Sequence, residues 1–298
     1  MTPAIALTDL TRRYGDHAAL DGVTVDVEES SITGLLGRNG AGKTTLLRII
    51  TAHEFVSTGS VRVLGADPAE NAAVLRRMVF IREDQTYPDI SVRQALRVAS
   101  WFYPDWDADL ARTLVSNFDL PLRCRMRHLS RGMRSAVGIV IGLAARADVT
   151  LFDEPTAGLD AVARQLFYDR LLSDYSAHPR TVLLSTHLID EAAGLLERVV
   201  VLHRGRVVLD AGTDTLRGSA VRVSGAAPAV EEFAVGRQSW DRRSVGGQSS
   251  VVVAGPLAES DAGRARALRL QVETLTLQQL VVHAAGGATG DAREETRG

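Results

Sequence analysis

The fold of this chain is decided by one stretch, GLLGRNGAGKTT, which runs from Gly34 to Thr45. Its core, from Gly37 to Thr44, fits G-x-x-x-x-G-K-[ST], the spacing of a loop that cradles phosphate groups. Glycine reaches backbone angles that are closed to other residues, and such a loop points successive N–H groups at phosphate oxygens. Lys43 supplies a mobile positive charge and Thr44 a hydroxyl for Mg²⁺, so the stretch predicts nucleotide binding.

The sequence on either side of this loop supports the same interpretation. A chance match is the alternative, since the chain has 26 glycines in 298 residues. However, residues 31–36 read as a short buried strand and residues 43–50 as a helix. Strand, loop and helix is the arrangement that such a loop requires. The positive end of the helix dipole would then face the phosphates.

Length and composition are those of an ordinary globular protein. A chain of 298 residues has room for one large domain, or for one large and one small domain. Its net charge of −2 gives no basic field for nucleic acid. The single cysteine, Cys124, excludes an internal disulfide framework, and no apolar run has the length of a membrane span or the pattern of a secretory signal. We therefore expect a cytosolic protein that reaches a membrane only through a partner.

Polar residues follow two other buried strands. Asp153 and Glu154 end the apolar run that begins at Val149, and His187 follows the run that begins at Thr181. Ligands bind at the carboxyl ends of the strands in open α/β sheets. Near a phosphate loop, the first carboxylate would help to hold Mg²⁺ and the second would polarise an attacking water. A lone histidine is more often structural than catalytic, but this one stands at the same kind of strand end.

Two aromatic features have open interpretations. Tyr14 is either a half-buried ring at the end of a strand or an exposed platform on which a nucleotide base stacks. The densest aromatic patch consists of Trp101, Phe102, Tyr103 and Trp106. Core packing is the default interpretation of this patch, and docking of a partner is the alternative, because clustered aromatic residues favour interfaces.

Two predicted helices need caps at their amino ends. Asp105 or Asp107 would cap the helix that follows a break at Pro104. Ser130 would cap a helix whose apolar residues continue through Leu143. A serine and a glycine backbone at a helix N-terminus also form an anion site, although a plain cap is the simpler interpretation.

Taken in order, the motifs of residues 4 to about 215 resemble those of the nucleotide-binding subunit of an ABC transporter. The matching residues stand where that family has its adenine-stacking aromatic, Walker A loop, signature, Walker B motif, D-loop and switch histidine. They are Tyr14; Gly37, Arg38, Asn39, Gly40, Ala41, Gly42, Lys43, Thr44 and Thr45; Leu129 to Met133, with Ser130 and Gly132; Asp153 and Glu154; Gly158, Leu159 and Asp160; and His187. The resemblance implies that Glu154 is the catalytic base, that His187 clamps the γ-phosphate, and that Thr44 and Asp153 hold Mg²⁺.

The sequence departs from the family pattern at two places. The signature reads Ser-Arg-Gly-Met in place of Ser-Gly-Gly-Gln, but it keeps Ser130 and Gly132, which would meet the γ-phosphate. The family also has a glutamine, in contact with Mg²⁺ and the attacking water, after the strand that here ends at Ile81. Counting from the end of that strand places the family's glutamine position at Glu83. We assign the role to Gln85 because its chemistry matches, with Glu83 as the rival.

The resemblance implies an α/β fold, namely a P-loop NTPase with a mostly parallel core sheet, an N-terminal antiparallel β subdomain and a helical subdomain that carries the signature. It also implies an ATPase that uses ATP and Mg²⁺. Two such subunits would face head to tail, with each ATP between the Walker motifs of one and Ser130 and Gly132 of the other. The partners would be this second subunit, identical or related, and a transmembrane permease. The permease would hold the chain at the inner face of the membrane, and no nucleic acid is expected.

These features favour the ATP-binding subunit of a transporter, and the sequence FYPDWD and the SRGM signature are nearest to exporters of drug, peptide or lipid type. The alternative is a non-transport ABC ATPase that acts on ribosomes or nucleic acid. It is disfavoured because this chain has one Walker A motif and no room for a long coiled coil between the motifs. A binding-only subunit is disfavoured because Lys43, Asp153, Glu154 and His187 are all present.

Composition divides the chain into three parts. Residues 1–217 form the predicted ATP-binding domain, and residues 218–285 a small α+β extension of short strands and one helix. Within the extension, residues 236–250 (GRQSWDRRSVGGQSS) are expected to be an exposed loop. Residues 286–298 carry few apolar side chains and are expected to be disordered.

Overall fold

The computed structural model describes residues 3–282, in which the chain divides into two compact units. The first unit ends at Asp210 and the second begins at Ala211, whereas composition placed the boundary after residue 217. The expected tail, residues 286–298, lies outside the described residues. Within residues 3–282, no helix combines the length and the apolar character needed to cross a membrane.

The first unit is built on two sheets. The larger has six strands, which are, in spatial order, β5 (Met78–Arg82), β6 (Val149–Asp153), β7 (Thr181–Ser185), β3 (Ile32–Leu36), β8 (Arg198–His203) and β9 (Arg206–Gly212). The smaller is antiparallel and consists of β2 (His17–Val27), β1 (Ile5–Tyr14) and β4 (Thr58–Val63). Parallel pairing joins β5 to β6, β6 to β7, β7 to β3 and β3 to β8. The predicted fold class, a mostly parallel sheet with an antiparallel β subdomain, is confirmed.

Seven helices connect the described strands of this unit. They are α1 (Lys43–Ile50), α2 (Ala72–Leu75), α3 (Val92–Phe102), α4 (Ala108–Asn117), α5 (Arg131–Ala144), α6 (Ala161–Ala177) and α7 (Ile189–Ala192). Of the two candidate caps for α4, Asp107 is the one used, since its side chain accepts the N–H groups of Asp109 and Leu110 at 3.0 and 2.8 Å. Such a cap satisfies N–H groups that have no partner within the helix.

The carboxyl ends of the central strands meet at one edge of the large sheet. Strands β3, β6 and β7 are buried along their whole length, which is usual for strands covered on both faces of a parallel sheet. In the register of the sheet, Ser185 pairs with Leu35 on one side and with Asp153 on the other. The loops that leave these three strands therefore begin side by side.

Helix α5 packs closely on this sheet because two of its residues have no side chain. A methyl group at Gly142 would lie 2.6 Å from Cε1 of Phe152, and one at Gly138 would lie 2.9 Å from Cγ2 of Ile81. Real Cβ atoms do not approach other atoms so closely, so the two glycines permit this spacing. The helix that carries the signature residues at its amino end is thereby held against the strand that ends at Asp153.

A short loop leads from α4 to the signature. It includes Cys124 and a 3₁₀ turn at Met126–His128. The thiol is half-buried, and the carbonyl oxygen of Cys124 accepts the N–H of Val92 at 3.0 Å. This hydrogen bond joins the loop to the start of α3.

The aromatic patch does not pack into the core as a whole. Side chains of Trp101 and Phe102, at the end of α3, are 70% and 67% exposed, so core packing is wrong for these two residues. The guanidinium of Arg97 lies 5.5 Å from the ring centre of Trp101. Tyr103 and Trp106 are half-buried, and partial burial raises the pKa of the Tyr103 phenol.

The second unit is a small α+β structure. Its elements in chain order are α8 (Thr213–Leu216), β10 (Ala220–Ala226), α9 (Ala227–Ala234), β11 (Ser239–Val245), β12 (Gln248–Ala254), α10 (Glu259–Ala267) and β13 (Gln271–Thr274). The sheet is antiparallel, with the order β11-β12-β10-β13. Its core joins Val223, Val251 and Val253 of the sheet to Phe233 of α9 and Ala265 of α10.

Two expectations for this unit are wrong. Residues 236–250 are not a loop, because they contain β11 and the start of the strand β12 that pairs with it. The two strands are joined by Gly246 and Gly247, whose φ angles of 56° and 83° are those of a tight hairpin turn. The expected range, residues 218–285, also has more than the one helix expected, since it contains both α9 and α10.

Candidate functional site

The Walker A loop, residues 37–45, connects β3 to α1. Its three glycines have positive φ angles, 148° at Gly37, 80° at Gly40 and 107° at Gly42. A methyl group at Gly37 would lie 2.4 Å from the carbonyl oxygen of Leu202, and one at Gly42 would lie 2.6 Å from that of Ala19. Gly37 and Gly42 are therefore required both by lack of space for a side chain and by backbone conformation. Gly40 is required by its backbone conformation alone.

The remaining residues of the loop complete its turn into the helix. The N–H of Ala41 donates to the carbonyl oxygen of Arg38 at 3.0 Å, and Asn39 is exposed. Thr45 lies in the first turn of α1, which begins at Lys43 as predicted. The loop is thus a closed turn that ends at a helix N-terminus, the geometry that favours an anion.

A turn between β8 and β9 supports the loop from a distant part of the chain. The N–H of Gly205 donates to the carbonyl oxygen of Ala41 at 3.0 Å, and the carbonyl oxygen of Gly205 accepts the N–H of Asp21 at 2.9 Å. Arg206 forms an ion pair with the Asp21 carboxylate at 2.7 Å. The loop, the antiparallel sheet and the end of the large sheet are therefore joined at one point.

The Lys43 side chain lies back over the loop. Its Nζ donates to the carbonyl oxygen of Gly37 at 2.8 Å and lies 3.9 Å from Oε1 of Glu154. The side chains of Lys43 and Glu154 are 8% and 12% exposed, so both charges are largely removed from water. A buried charge is costly unless it is paired, and here each compensates the other.

The hydroxyl of Thr44, in the first turn of α1, faces the carboxylate of Asp153, at the end of β6. Thr44 Oγ1 donates to Asp153 Oδ2 at 2.7 Å. The other carboxylate oxygen, Oδ1, is buried and has no hydrogen-bond partner among the described residues. Mg²⁺ takes oxygen ligands, usually one or two from carboxylates with water and substrate phosphates completing its shell. An unsatisfied buried carboxylate oxygen beside a hydroxyl fits such an ion.

Glu154, the next residue, is held in an unusual backbone conformation. Its φ angle is 49°, in the left-handed region that non-glycine residues rarely adopt. The N–H of Glu154 donates to the carbonyl oxygen of Ser185 at 3.0 Å, which ties it to the neighbouring strand. Its Oε2 accepts a hydrogen bond from Nδ1 of His187 at 2.6 Å. The predicted catalytic base and the predicted clamp of the γ-phosphate are therefore in direct contact.

Ser130 and Gly132 of the signature have their neighbours within the same chain. Ser130 Oγ accepts the N–H of Met133 at 3.1 Å, so Ser130 caps α5 as predicted. A methyl group at Gly132 would lie 2.5 Å from the carbonyl oxygen of Gly158, so the signature and the D-loop are in close contact. Neither of these contacts involves Lys43.

The D-loop ends at a cap of its own. Asp160 accepts the N–H of Ala163 at 2.8 Å at the start of α6. One turn along α6, Arg164 donates two hydrogen bonds of 2.9 Å to the carboxylate of Glu191 in α7. Because α7 begins just after His187, this bidentate pair connects the D-loop to the segment that carries the histidine.

The two Q-loop candidates contact other residues. Gln85 Oε1 accepts the N–H of Arg82 at 3.4 Å, within its own loop, and Glu83 pairs with Arg131 of the signature. Neither contact includes Thr44 or Asp153, so the assignment of Gln85 stays a prediction. The loop lines a cleft of about 440 Å³ that also contains Tyr87.

Tyr14 is exposed on one side and held on the other. It is 44% exposed, and its hydroxyl donates to Glu54. The guanidinium of Arg12 lies 4.6 Å from its ring centre. The role of Tyr14 as a platform stays a prediction, and sequence reasoning missed Arg12 and Glu54 altogether. No local pattern indicates these two residues, because Glu54 is distant in sequence from the strand that it contacts.

The sheet, the Walker A loop and the neighbouring carboxylates define a P-loop nucleoside triphosphatase. The model of the family described as "ABC transporter" matches residues 20–157. Nod factor export ATP-binding protein I of Cupriavidus metallidurans is 32% identical over 217 residues, which are 70% of this chain and 71% of that protein. ABC transporter ATP-binding protein YtrB of Bacillus subtilis is 26% identical over 220 residues, 74% of this chain and 75% of the relative. The chain belongs to the ABC transporter family of ATP-binding proteins.

Solved structures agree with this assignment. An ATP-binding subunit of an ABC transporter is 28% identical, with a TM-score of 0.65 over 72% of this chain and 91% of that one. A dimeric ATP-binding cassette in a post-hydrolysis state, bound to ADP and Pi, has the same fold at 21% identity, with a TM-score of 0.62 over 70% and 98% of the two chains. The protein is therefore a transport-associated ATP-binding subunit and an ATPase.

Proposed function

We propose that this chain hydrolyses ATP with four side chains gathered at the carboxyl edge of its large sheet. The observation that carries the proposal is the pair of contacts Thr44–Asp153 and Glu154–His187, on loops that begin side by side. Glu154 polarises the attacking water, and His187 holds Glu154 and reaches the γ-phosphate. Hydrolysis of this kind depends mainly on positioning and on stabilisation of charge, which such a fixed set of groups supplies.

Thr44 and Asp153 would hold Mg²⁺ in this site. The buried, unsatisfied Oδ1 of Asp153 supports this assignment, as does the hydroxyl beside the other oxygen of the same carboxylate. When bound, the ion would neutralise charge on the phosphate oxygens. Gln85 is the proposed third contributor, with Glu83 as the rival.

We propose that each working site is completed by a second subunit, identical or related. The contacts of Ser130 and Gly132 support this arrangement, because in one chain they face Met133 and Gly158 and not Lys43. An N-capped helix start is an anion site. Placed against the nucleotide of a partner, it would supply the missing donors to the γ-phosphate.

The two subunits would drive a membrane permease, and the proposed direction of transport is outward. Several relatives are named Nod factor export ATP-binding protein I, and this supports an exporter for this chain. The exposed Trp101 and Phe102 on α3 are the proposed contact with the permease. Inverted vesicles that contain the chain and its permease should accumulate cargo when ATP is added outside, and accumulation only in right-side-out vesicles loaded with ATP would reverse the direction.

The composite site is tested by mixing two inactive variants. Lys43→Ala damages the Walker side of a site and Ser130→Ala the signature side. In a mixed pair, one site has both defects and the other is intact. Mixing equal amounts should restore roughly a quarter of the normal ATPase activity, since half the pairs are mixed and each has one intact site.

The matched control mixes Lys43→Ala with Glu154→Gln. Both changes affect the Walker side, so every site in every pair stays defective and no activity should return. Recovery in this control, or none in the Lys43→Ala and Ser130→Ala mixture, would contradict a site shared between identical subunits. Full activity in each variant alone would contradict the roles of the residues themselves.

A further inference from the structure

The surroundings of Tyr14 contain two residues that the proposed function does not use, Arg12 and Glu54. We infer that they make Tyr14 a one-faced platform for the nucleobase, with Arg12 covering the other face of the ring and Glu54 fixing its hydroxyl. The inference rests on the proposed ATP site and adds two positioning residues to it. Its ligand is the base of a nucleoside triphosphate whose phosphates lie in the Walker A loop.

The first argument is the contact between Arg12 and the ring. The guanidinium carbon lies 4.6 Å from the ring centre, within the distance at which a cation is attracted to an aromatic face. Arg12 and Tyr14 are two residues apart on β1, with a register shift between Arg12 and Arg13, and both side chains reach the same oxygen of Glu54. A base therefore meets one occupied face and one open face, and only the open face is available for stacking.

The second argument is the position of Glu54. Its carboxylate is 12% exposed, and one oxygen, Oε1, accepts Nε of Arg12 at 3.0 Å and also the hydroxyl of Tyr14. A single acceptor thus holds both the cation and the ring. Because this charged acceptor is largely shielded from water, its two hydrogen bonds hold the guanidinium and the ring in one relative orientation.

The third argument is the place of the platform relative to the phosphates. The end of the β1–β2 hairpin pairs Tyr14 with His17. Two residues further along β2, the carbonyl oxygen of Ala19 is packed against Gly42 of the Walker A loop. That separation is roughly 7 Å along a strand. The ring therefore stands beside the phosphate loop, at a distance that a nucleotide can bridge between its phosphates and its base.

Glu54 also connects the platform to the phosphate end of the site through the backbone. It lies in the loop that follows α1, the helix whose first residue is Lys43. The N–H of Arg13 donates to Ser57 Oγ at 3.0 Å, and the N–H of Ser57 donates to the carbonyl oxygen of Thr11 at 2.8 Å. The loop after α1, which carries Glu54, is therefore hydrogen-bonded to β1, which carries Tyr14. These bonds fix the position of the base relative to the phosphates.

The experiment compares binding of ATP with binding of inorganic tripolyphosphate by calorimetry, with Mg²⁺ present. Arg12→Ala should weaken ATP binding by about two- to fivefold, the range for a cation over an exposed ring, and leave tripolyphosphate binding unchanged. Arg13→Ala is the matched control, because it removes the same charge one residue away from the contact. Arg12→Met is measured beside it, because the aliphatic stem is kept.

A second set of variants tests whether Arg12 acts through the ring. In a Tyr14→Ala background, Arg12→Ala should cause no further loss of ATP affinity. Tyr14→Phe keeps the ring but removes the bond to Glu54, and it should weaken ATP binding less than Tyr14→Ala does.

Three outcomes would overturn the inference. They are an equal effect of Arg12→Ala and Arg13→Ala, an equal loss for ATP and tripolyphosphate, and additive losses for Arg12→Ala and Tyr14→Ala. Failure of the ATP site itself would look different, since Lys43→Ala would then leave both ligands bound as in the unchanged protein.

Discussion

Nδ1 of His187 lies 2.6 Å from Oε2 of Glu154, and the backbone N–H of His187 is directed at the same oxygen at 3.3 Å. One oxygen of the carboxylate is therefore held by the histidine. The other, Oε1, faces Lys43 at 3.9 Å. Because Glu154 also has a strained φ angle, its orientation is set by its surroundings and not by its own preference.

Replacing Glu154 by Gln should stop turnover and keep ATP bound. Gln has the same shape but cannot act as a base, so the hydrolysis rate should fall by about 10²- to 10⁴-fold. ATP that is bound but not hydrolysed should hold two subunits together, which size-exclusion chromatography with and without ATP measures. Unchanged hydrolysis in this variant would remove Glu154 from its role.

Replacing Gly132 by Ala should separate the signature from the D-loop. The new methyl group would lie 2.5 Å from the carbonyl oxygen of Gly158, so one of the two segments must move. Overpacking of this kind costs about 1–3 kcal/mol of folding free energy. We expect ATPase activity to fall while a monomer still binds ATP, as measured by steady-state rates and calorimetry.

Gly194→Ala is the control for that variant. A methyl group there meets no atom within 4 Å, and the backbone is not in the left-handed region. Its activity and unfolding free energy should be those of the unchanged protein. Equal losses in the two variants would mean that contact with Gly158 is not the cause.

A buried ion-pair network should make Asp174 critical for stability. Its carboxylate pairs with Arg146 at 3.0 Å and with Arg180 at 2.7 Å, and the Asp174 and Arg180 side chains are each 5% exposed. Asp174→Asn leaves the buried Arg180 guanidinium without a charged partner, whereas Arg146 keeps Asp107 at 2.8 Å, and the free energy of unfolding in urea should fall by about 3–5 kcal/mol. Asp109→Asn, which breaks an exposed pair with Arg112, should cost less than about 1 kcal/mol. Similar losses would contradict the importance of burial.

The cap of α4 should contribute to acid stability. The pKa of Asp107 is lowered, mainly because its carboxylate accepts the N–H of Leu110, with Arg146 adding a favourable charge. A carboxyl whose pKa is lower in the folded state stabilises the protein above its unfolded pKa of about 4 and loses that contribution as pH falls through the folded value. Unfolding free energies measured from neutral to acid pH should fall less steeply in Asp107→Asn. An equally steep fall of the unfolding free energy at acid pH in both proteins would contradict this contribution of Asp107.

The parts of the site that come from residues consecutive in sequence were predictable from the sequence. The loop and helix around Lys43 follow one after the other, so spacing alone indicated that the helix begins at Lys43. Asp153 and His187 were also predictable, because both end apolar runs whose burial is clear from composition. The edge of a parallel sheet then brings such strand ends together.

The rest depends on contacts that composition does not encode. The hairpin of β11 and β12 was missed because β11, with the sequence SWDRRSV, is polar and largely exposed. Its turn, Gly246-Gly247, was the available signal. Arg12 and Glu54 are brought together only by the fold. The exposure of Trp101 and Phe102 was not predictable either, since apolar side chains at a helix end are compatible with a core or with a surface.

Cys124 gives this chain a native chemical handle. It is the single cysteine of the sequence, and it is half-buried in the loop that leads to the signature. A spin label or fluorophore attached to this thiol needs no engineered cysteine and no removal of others. In a pair of identical subunits, two such labels would form one symmetric distance ruler. Spectroscopy could then follow nucleotide-driven closure in the unaltered protein.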